Sequence, residues 1–331
     1  MKNIWDIINK KENRVIYPQM GGMGLLLTDY TMFQVYEDAE KQLEIAMRTE
    51  EAFPTDFIYP IDFGTVFQHA LGFAMKKPEL DFPSVLENKI KTIEDIEKSP
   101  MLDMESSGLF HEYLSAISKI SITIEKPQMV ACVGPLTLAT ELAGLEFTLK
   151  STVKNTVFFR KLLEYASGLI IDFSRAAILN GATVLQISEP VMSIVRPGIY
   201  QKEVLPWLKQ IINTINECAI SSLHVCGNTE KYLDLMVESG TQILSLDQVM
   251  DLKYVMEHVP KEVVVAGNLD PVETMLNGTY ELVYQKTEEL LTDMSAYSNF
   301  MVSFGCDCPI NTPIEHIKAV SSAIKKEKKE R

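Results

Sequence analysis

Positive charge is in short supply in this chain: 31 Lys and Arg stand against 45 Asp and Glu, a formal net charge of −14. Nucleic acid and anionic membrane surfaces would be repelled, so neither is an expected partner. Cysteine is scarce as well. Five thiols, an odd number scattered over 331 residues, do not make a disulfide framework, and a reducing cytoplasm is the expected compartment. No apolar run reaches the length that crosses a bilayer. Residues 1–11 are charged at both ends and lack the uninterrupted apolar stretch of a secretory leader. The glycine-rich stretch 21–24 has no Lys-Ser/Thr after it, which excludes a phosphate loop and leaves a mobile loop over a site. Signals for hairpins between the apolar runs are missing too.

What is present suits a large soluble core, with 46% apolar and 23% charged residues. Short apolar runs at 15–20, 56–60, 128–133, 183–188, 222–225, 242–246, 263–266 and 300–304 alternate with helical patterns such as 33–52, 153–179 and 200–218. That order predicts parallel strands joined by helical crossovers, and eight such units close into a single (β/α)8 TIM barrel. One domain over 1–331 is expected, with an N-terminal helical extension and an irregular insertion around 73–109 that carries Pro78, Pro83 and Pro100. Cys132 falls inside an apolar strand and Cys218 on the buried side of a helix. His69, His111, His258 and His316 follow no strand and are expected at the surface or in the core.

The stretch richest in chemistry is Ser222-Leu223-His224-Val225-Cys226-Gly227-Asn228. On a strand His224 and Cys226 point to one face while Leu223 and Val225 pack on the other. A packed histidine beside a buried thiol would satisfy that pattern. A second reading gains from Phe304-Gly305-Cys306-Asp307-Cys308-Pro309, which also ends an apolar run. Two soft donors and a third from another strand end make a three-ligand zinc site with one position open, the catalytic form of protein zinc.

His224-Val225-Cys226-Gly227-Asn228, followed later by Gly305-Cys306-Asp307-Cys308-Pro309-Ile310-Asn311-Thr312-Pro313, resembles the His-x-Cys and Cys signature of zinc-dependent methyltransferases that work with corrinoid proteins, within the uroporphyrinogen decarboxylase superfamily. The likeness extends to Ala131-Cys132-Val133-Gly134-Pro135-Leu136, Ser188-Glu189-Pro190 and Ala266-Gly267-Asn268-Leu269-Asp270-Pro271, covering most of the chain from about Tyr59 onward. The resemblance implies a decarboxylase-like TIM barrel with His224, Cys226 and Cys306 as zinc ligands. It also implies a corrinoid (methylcobalamin) carried by a partner protein, and a small-molecule methyl donor or acceptor. Cys308 departs from the family pattern, as a spare thiol, a stand-in ligand or an inert neighbour.

Asp62 and Glu189 are the expected catalytic carboxylates. Asp62 resembles the catalytic aspartate of the decarboxylases, or it caps the helix beginning near Thr65. Glu189 completes the zinc shell, acts as acid or base, or caps the next segment. Asp247 and Asn268, also at strand ends, are expected to bind cofactor. An apolar first loop with Tyr17, Met20, Met23, Tyr30, Met32 and Phe33 suits a methoxy-aromatic donor, whereas Arg196 suits an anionic thiol such as coenzyme M. The rival readings are a uroporphyrinogen decarboxylase, a folate-dependent methyl transfer and a non-catalytic zinc-binding barrel. The decarboxylase handles a polyanion with an arginine-rich N-terminal motif, and residues 17–24 here contain no arginine.

Overall fold

Six of the apolar runs form one parallel sheet: β1 (Met129–Val133), β2 (Val184–Ser188), β3 (Ile220–Val225), β4 (Ile243–Leu246), β5 (Val264–Leu269) and β6 (Phe300–Phe304), hydrogen-bonded in sequence order. A computed structural model of the chain describes residues 2–53, 55–61, 64–104 and 108–330. Two shorter segments complete the ring. Ile16 bridges to Val302 of β6, and Ile58 bridges to Gln128 at the start of β1, both in parallel. Eight staves result, in the barrel expected from the alternating pattern. Where the first two staves meet, a side chain does the work of a ladder. The Asp56 carboxylate accepts the Ile16 amide at 2.8 Å and pairs with Lys11 at 2.7 Å. Beside it Tyr17 and Phe57 pack edge to face with ring centroids 5.4 Å apart.

Period-two alternation sets what fills the barrel. At the strand starts Met129, Val184, Ile220, Ile243, Val264 and Met301 join Val15, Tyr17 and Phe57 in one apolar cluster, with Ile4 buried among them. Two residues further on, the same inward face carries Gln186, Ser222 and Ser245, all buried. Two more residues along β3 it carries His224. The interior thus runs from apolar at the strand starts to polar toward the strand ends, where chemistry is expected in such barrels.

Several helices differ from the pattern read in the sequence. Residues 33–52 make two helices, Met32–Tyr36 and Ala39–Ala52, because Asp38 caps the second by accepting the amides of Glu40 and Lys41. Residues 200–218 open with a wide π turn at Tyr200–Val204 ahead of Leu205–Asn216. Pro206 has no amide to give and crowds the turn before it, which the wide turn absorbs. Cys218 lies past that helix and is exposed, not buried as its spacing suggested. Two helices after β1, Pro135–Ala143 and Leu145–Lys154, had no counterpart in the sequence pattern.

The first of these helices acts as a strut. Its last carbonyls, on Glu141, Leu142 and Ala143, receive the Asn88 amide group, the Ile90 backbone amide and the Lys91 ammonium, all from the stretch between residues 73 and 109. That stretch also forms a two-stranded ribbon, Met75–Lys76 against Ser84–Val85, and the helix Ile93–Lys98, capped reciprocally by Thr92 and Asp95. Among the described residues no helix is long and apolar enough to cross a membrane.

Asp56→Ala is expected to destabilise the fold by about 2 kcal/mol, because it leaves the buried Ile16 amide unpaired. Lys11→Ala, which removes only the half-exposed ion pair, should cost less than about 1 kcal/mol. Denaturant midpoints of the two variants check the ordering.

Candidate metal centre

His224 is the penultimate residue of β3, Cys226 follows its end, and Cys306 lies two residues past β6. The three side chains converge. His224 Nε2 is 3.2 Å from Cys226 Sγ, and Cys226 Sγ is 3.5 Å from Cys306 Sγ. One donor atom from each residue falls within 4.8 Å of the others, and among the described residues no other His, Cys, Asp or Glu joins the group. A tetrahedral zinc with Zn–S near ~2.3 Å and Zn–N near ~2.0 Å sets its donors roughly 3.5–3.8 Å apart. The observed 3.5 Å between the sulfurs meets that spacing and the 3.2 Å from imidazole to sulfur is a few tenths of an ångström short of it, while two sulfurs with an imidazole are a donor set zinc favours.

Why the donors face each other is readable atom by atom. His224 Nδ1 lies 3.1 Å from Ser245 Oγ, and Gln19 Nε2 donates to the same oxygen at 2.9 Å. Gln19 also bonds Gln186, whose Oε1 accepts the Tyr17 hydroxyl at 3.0 Å. With Nε2 turned to the sulfurs, the ring proton belongs on Nδ1 and is donated to Ser245, the outer-shell contact that fixes a ligating histidine. Cys306 comes close because Gly305 has no side chain: a Cβ there would sit 2.3 Å from the Gln248 amide nitrogen.

Electrostatics prepare the sulfurs. The Cys226 thiol donates to Cys306, which together with His224 holds Cys306 well below the usual thiol range despite its burial. Cys226 is pushed up by the same hydrogen bond, so one proton is shared between the pair. Burial draws the His224 ring down, but hydrogen bonding and charge from Cys306 outweigh it and leave the imidazole above its ordinary value.

A cavity of about 160 Å³ opens beside the triad, lined also by Gln19, Met20, Gly21, Tyr59, Pro60, Met129, Ala131, Gln186, Ser188, Pro190 and Asp307. Asp307 keeps accessible surface on this wall, while the protein packed around its carboxyl and the neighbouring Cys306 push it up to about 6. Of the first-loop residues read as a ring-binding wall, Met20 reaches this cavity. Met23 and Met32 pack in the core, and the Tyr30 hydroxyl bonds Glu44. Arg196 is exposed and does not line it. Cys308 is 3% exposed and outside the ligand group, with its backbone amide bonded to the Gln19 carbonyl.

Three of the other polar residues singled out in the sequence, Glu189, Asp247 and Asn268, engage backbone groups in this structure. Asp62 lies outside the described residues. Glu189, fully buried, does not line the cavity; its oxygens accept the Leu136 and Thr137 amides at 3.0 and 3.2 Å and so cap the strut helix. Gly134 makes room, since a Cβ there would meet Glu189 Oε2 at 1.9 Å. Burial pushes the Glu189 carboxyl up to about 7, against which the two amides and the Tyr200 hydroxyl work. Asp247 and Asn268, read as cofactor-binding, do not line the cavity, and backbone groups engage both. Asp247 accepts the Gly227 and Val249 amides, and Asn268 Nδ2 donates to the carbonyls of Asp247 and Met250. Ser245, Gln19, Gln186, Tyr59 and Asp307 were missed in the sequence. The signal for Gln186 and Ser245 was a polar residue at the inward position of an otherwise apolar strand.

The profile of the uroporphyrinogen decarboxylase (URO-D) family matches residues 20–327. The chain belongs to that family. Within reach of this URO-D member is the methylcobamide:CoM methyltransferase MtbA of Methanosarcina acetivorans, 27% identical over 299 residues, covering 88% of this chain and 86% of MtbA. A uroporphyrinogen decarboxylase of Trichlorobacter lovleyi is 24% identical over 248 residues, 72% of each chain. The solved structure of a methyltransferase from Methanosarcina mazei superposes with a TM-score of 0.88 over 98% of this chain and 97% of that one, at 20% identity, so the barrel is shared.

Purified protein is expected to carry one zinc per chain by elemental analysis. Cys306→Ala and His224→Ala should each lower that occupancy at least tenfold while the far-UV circular dichroism is unchanged. Glu189 generates a second expectation. A carboxyl held near 7 when folded, against an ordinary 4.5, contributes stability that is full below about 4.5 and is lost as pH rises through 7. Relative to Glu189→Gln, the native protein should lose about 3 kcal/mol between pH 4.5 and pH 8, read from urea unfolding across that range.

Proposed function

We propose that this URO-D family member is a corrinoid-dependent methyltransferase that works at a zinc site formed by His224, Cys226 and Cys306, with a small thiol as methyl acceptor. The observation that carries the reading is the triad itself, three soft donors at one end of a small cavity with no fourth protein ligand among the described residues. Zinc, when bound, supplies a position where a substrate thiol is held ionised near neutral pH, for attack on the methyl group carried by a corrinoid.

The chain's own residues do the rest. The Ser245 hydroxyl keeps the His224 ring in one orientation and tautomer. Asp247, through the Gly227 amide, fixes the turn that presents Cys226. Met20, Pro60, Met129 and Pro190 give the cavity apolar walls that limit competing water. Asp307, with its carboxyl near 6 and its surface open to the cavity, takes the proton released by the thiol and returns it to solvent. Glu189 acts through the helix it caps, as a positioning residue. The corrinoid arrives on a partner protein that docks at the mouth of the barrel. Support comes also from MtbA, whose name describes a methylcobamide and a CoM substrate. A polycarboxylate tetrapyrrole finds no Lys or Arg on this wall, among the described residues, to match its charges.

The test is consumption of methylcobalamin, followed by its absorbance, with zinc-loaded protein and a two-carbon thiol. Turnover should require both zinc and thiol, with an S-methyl product. Chelation should stop it without unfolding the barrel. Ser245→Ala should lower activity or metal affinity by roughly 10–100-fold. Undiminished turnover in His224→Ala, or decarboxylation of uroporphyrinogen in its place, would sink the proposal.

A further inference from the structure

We infer that the thiol accepted at this site is neutral or cationic, and that an anionic thiol of the coenzyme M kind is discriminated against. The inference rests on the methyl-transfer reading and deepens it by naming the substrate class. Its basis is the charge of the cavity wall. Among the described residues no Lys or Arg lines the cavity, and apart from the three ligands the single ionisable acid or base with its surface open to the cavity is Asp307. Arg196, the cation that its place in the sequence offered for an anionic tail, is exposed and elsewhere.

The neutral groups on the wall do not make up for a missing cation. Gln19 Nε2 donates to Gln186 and Ser245, and Gln186 Nε2 donates to Gln19, so these amide groups are turned to one another inside the barrel. The Tyr59 hydroxyl, on the same wall, is closed to solvent and has no hydrogen-bond partner among the described residues. Two thiolates already cancel the charge of a zinc dication, so a bound substrate thiolate leaves the centre with one net negative charge. A further anionic group within a cavity of about 160 Å³ would stand close to that charge and to Asp307, partly shielded from water. An ammonium or hydroxyl tail meets the opposite situation. The Asp307 carboxylate accepts its hydrogen. Asp307 is then a specificity-determining residue.

The experiment uses three thiols with the same two-carbon spacer: 2-mercaptoethylamine, 2-mercaptoethanol and 2-mercaptoethanesulfonate. Binding is read on cobalt(II)-substituted protein from the sulfur-to-cobalt absorption, and turnover on zinc-loaded protein with methylcobalamin, each corrected for the thiol's own ionisation. The sulfonate should show a Kd at least tenfold weaker, and a kcat/KM at least tenfold lower, than the other two. In the cobalt protein Asp307→Asn should raise the Kd of the amine at least fivefold more than it raises that of mercaptoethanol. A sulfonate that binds as well as or better than the amine and the alcohol overturns the inference and leaves methyl transfer standing. If none of the three perturbs the cobalt spectrum or consumes methylcobalamin, the thiol reading falls with it.

Discussion

The contact on which the site depends is the one from His224 Nδ1 to Ser245 Oγ, at 3.1 Å. It decides which nitrogen faces the sulfurs, and it is itself held from below. Ser245 is gripped by Gln19, Gln19 by Gln186, and Gln186 by the hydroxyl of Tyr17, whose ring sits in the apolar cluster at the strand starts. A column of polar side chains therefore runs up the barrel axis from packed core to metal ligand. The links alternate among three staves, so the column also ties β2, β4 and the first stave to one another. Buried polar groups are tolerated there because their partners are other members of the column.

Around that column the loops are fixed by carboxylates and amides that take no part in ligation. Asp247 grips the Gly227 amide beside Cys226, and Asn268 grips the carbonyls of Asp247 and Met250. Gly305 lets the Cys306 loop lie against Gln248. Glu189 reaches from the end of β2 to the start of the strut helix, while its own backbone amide donates to the His224 carbonyl at 2.8 Å. These residues occupy strand ends, where functional groups are expected, yet they work by holding backbone. The ends of β3 and β6, which have β4 and β5 between them in the sheet, cannot keep a triad in register without such ties, because loops are the least constrained part of a barrel.

That division explains what could be read from sequence. Alternating apolar runs and helical patterns specify the barrel because strand burial and helix amphipathicity leave periodic marks. His224, Cys226 and Cys306 stand out because few other roles bring that residue set to strand ends. Glu189, Asp247 and Asn268 carried the same mark of position, and sequence has no way to distinguish a carboxylate facing a cavity from one capping a helix across the sheet. The strut helix was invisible for a related reason. It is buried along nearly its whole length, from Pro135 to Ala143, so it shows no amphipathic period, and its ends are completed by residues distant in the chain. The Ser245–Gln19–Gln186 column left a signal too weak to read alone, one polar residue among apolar neighbours on each strand.

The family contains enzymes named for decarboxylating a tetrapyrrole and enzymes named for moving a methyl group, and one barrel serves both. What separates such chemistries must then lie in the few side chains that reach the mouth. Here the inward face near the strand ends offers sulfur, imidazole, amide and one carboxylate, on a wall with no cation among the described residues. A polyanion would need its charges matched, and among the described residues no Lys or Arg on this wall does so. A zinc ion needs soft donors within about 4 Å of each other and a rigid imidazole, and the wall has both. The same scarcity of positive charge that marks the whole sequence is thus repeated among the described residues of the site.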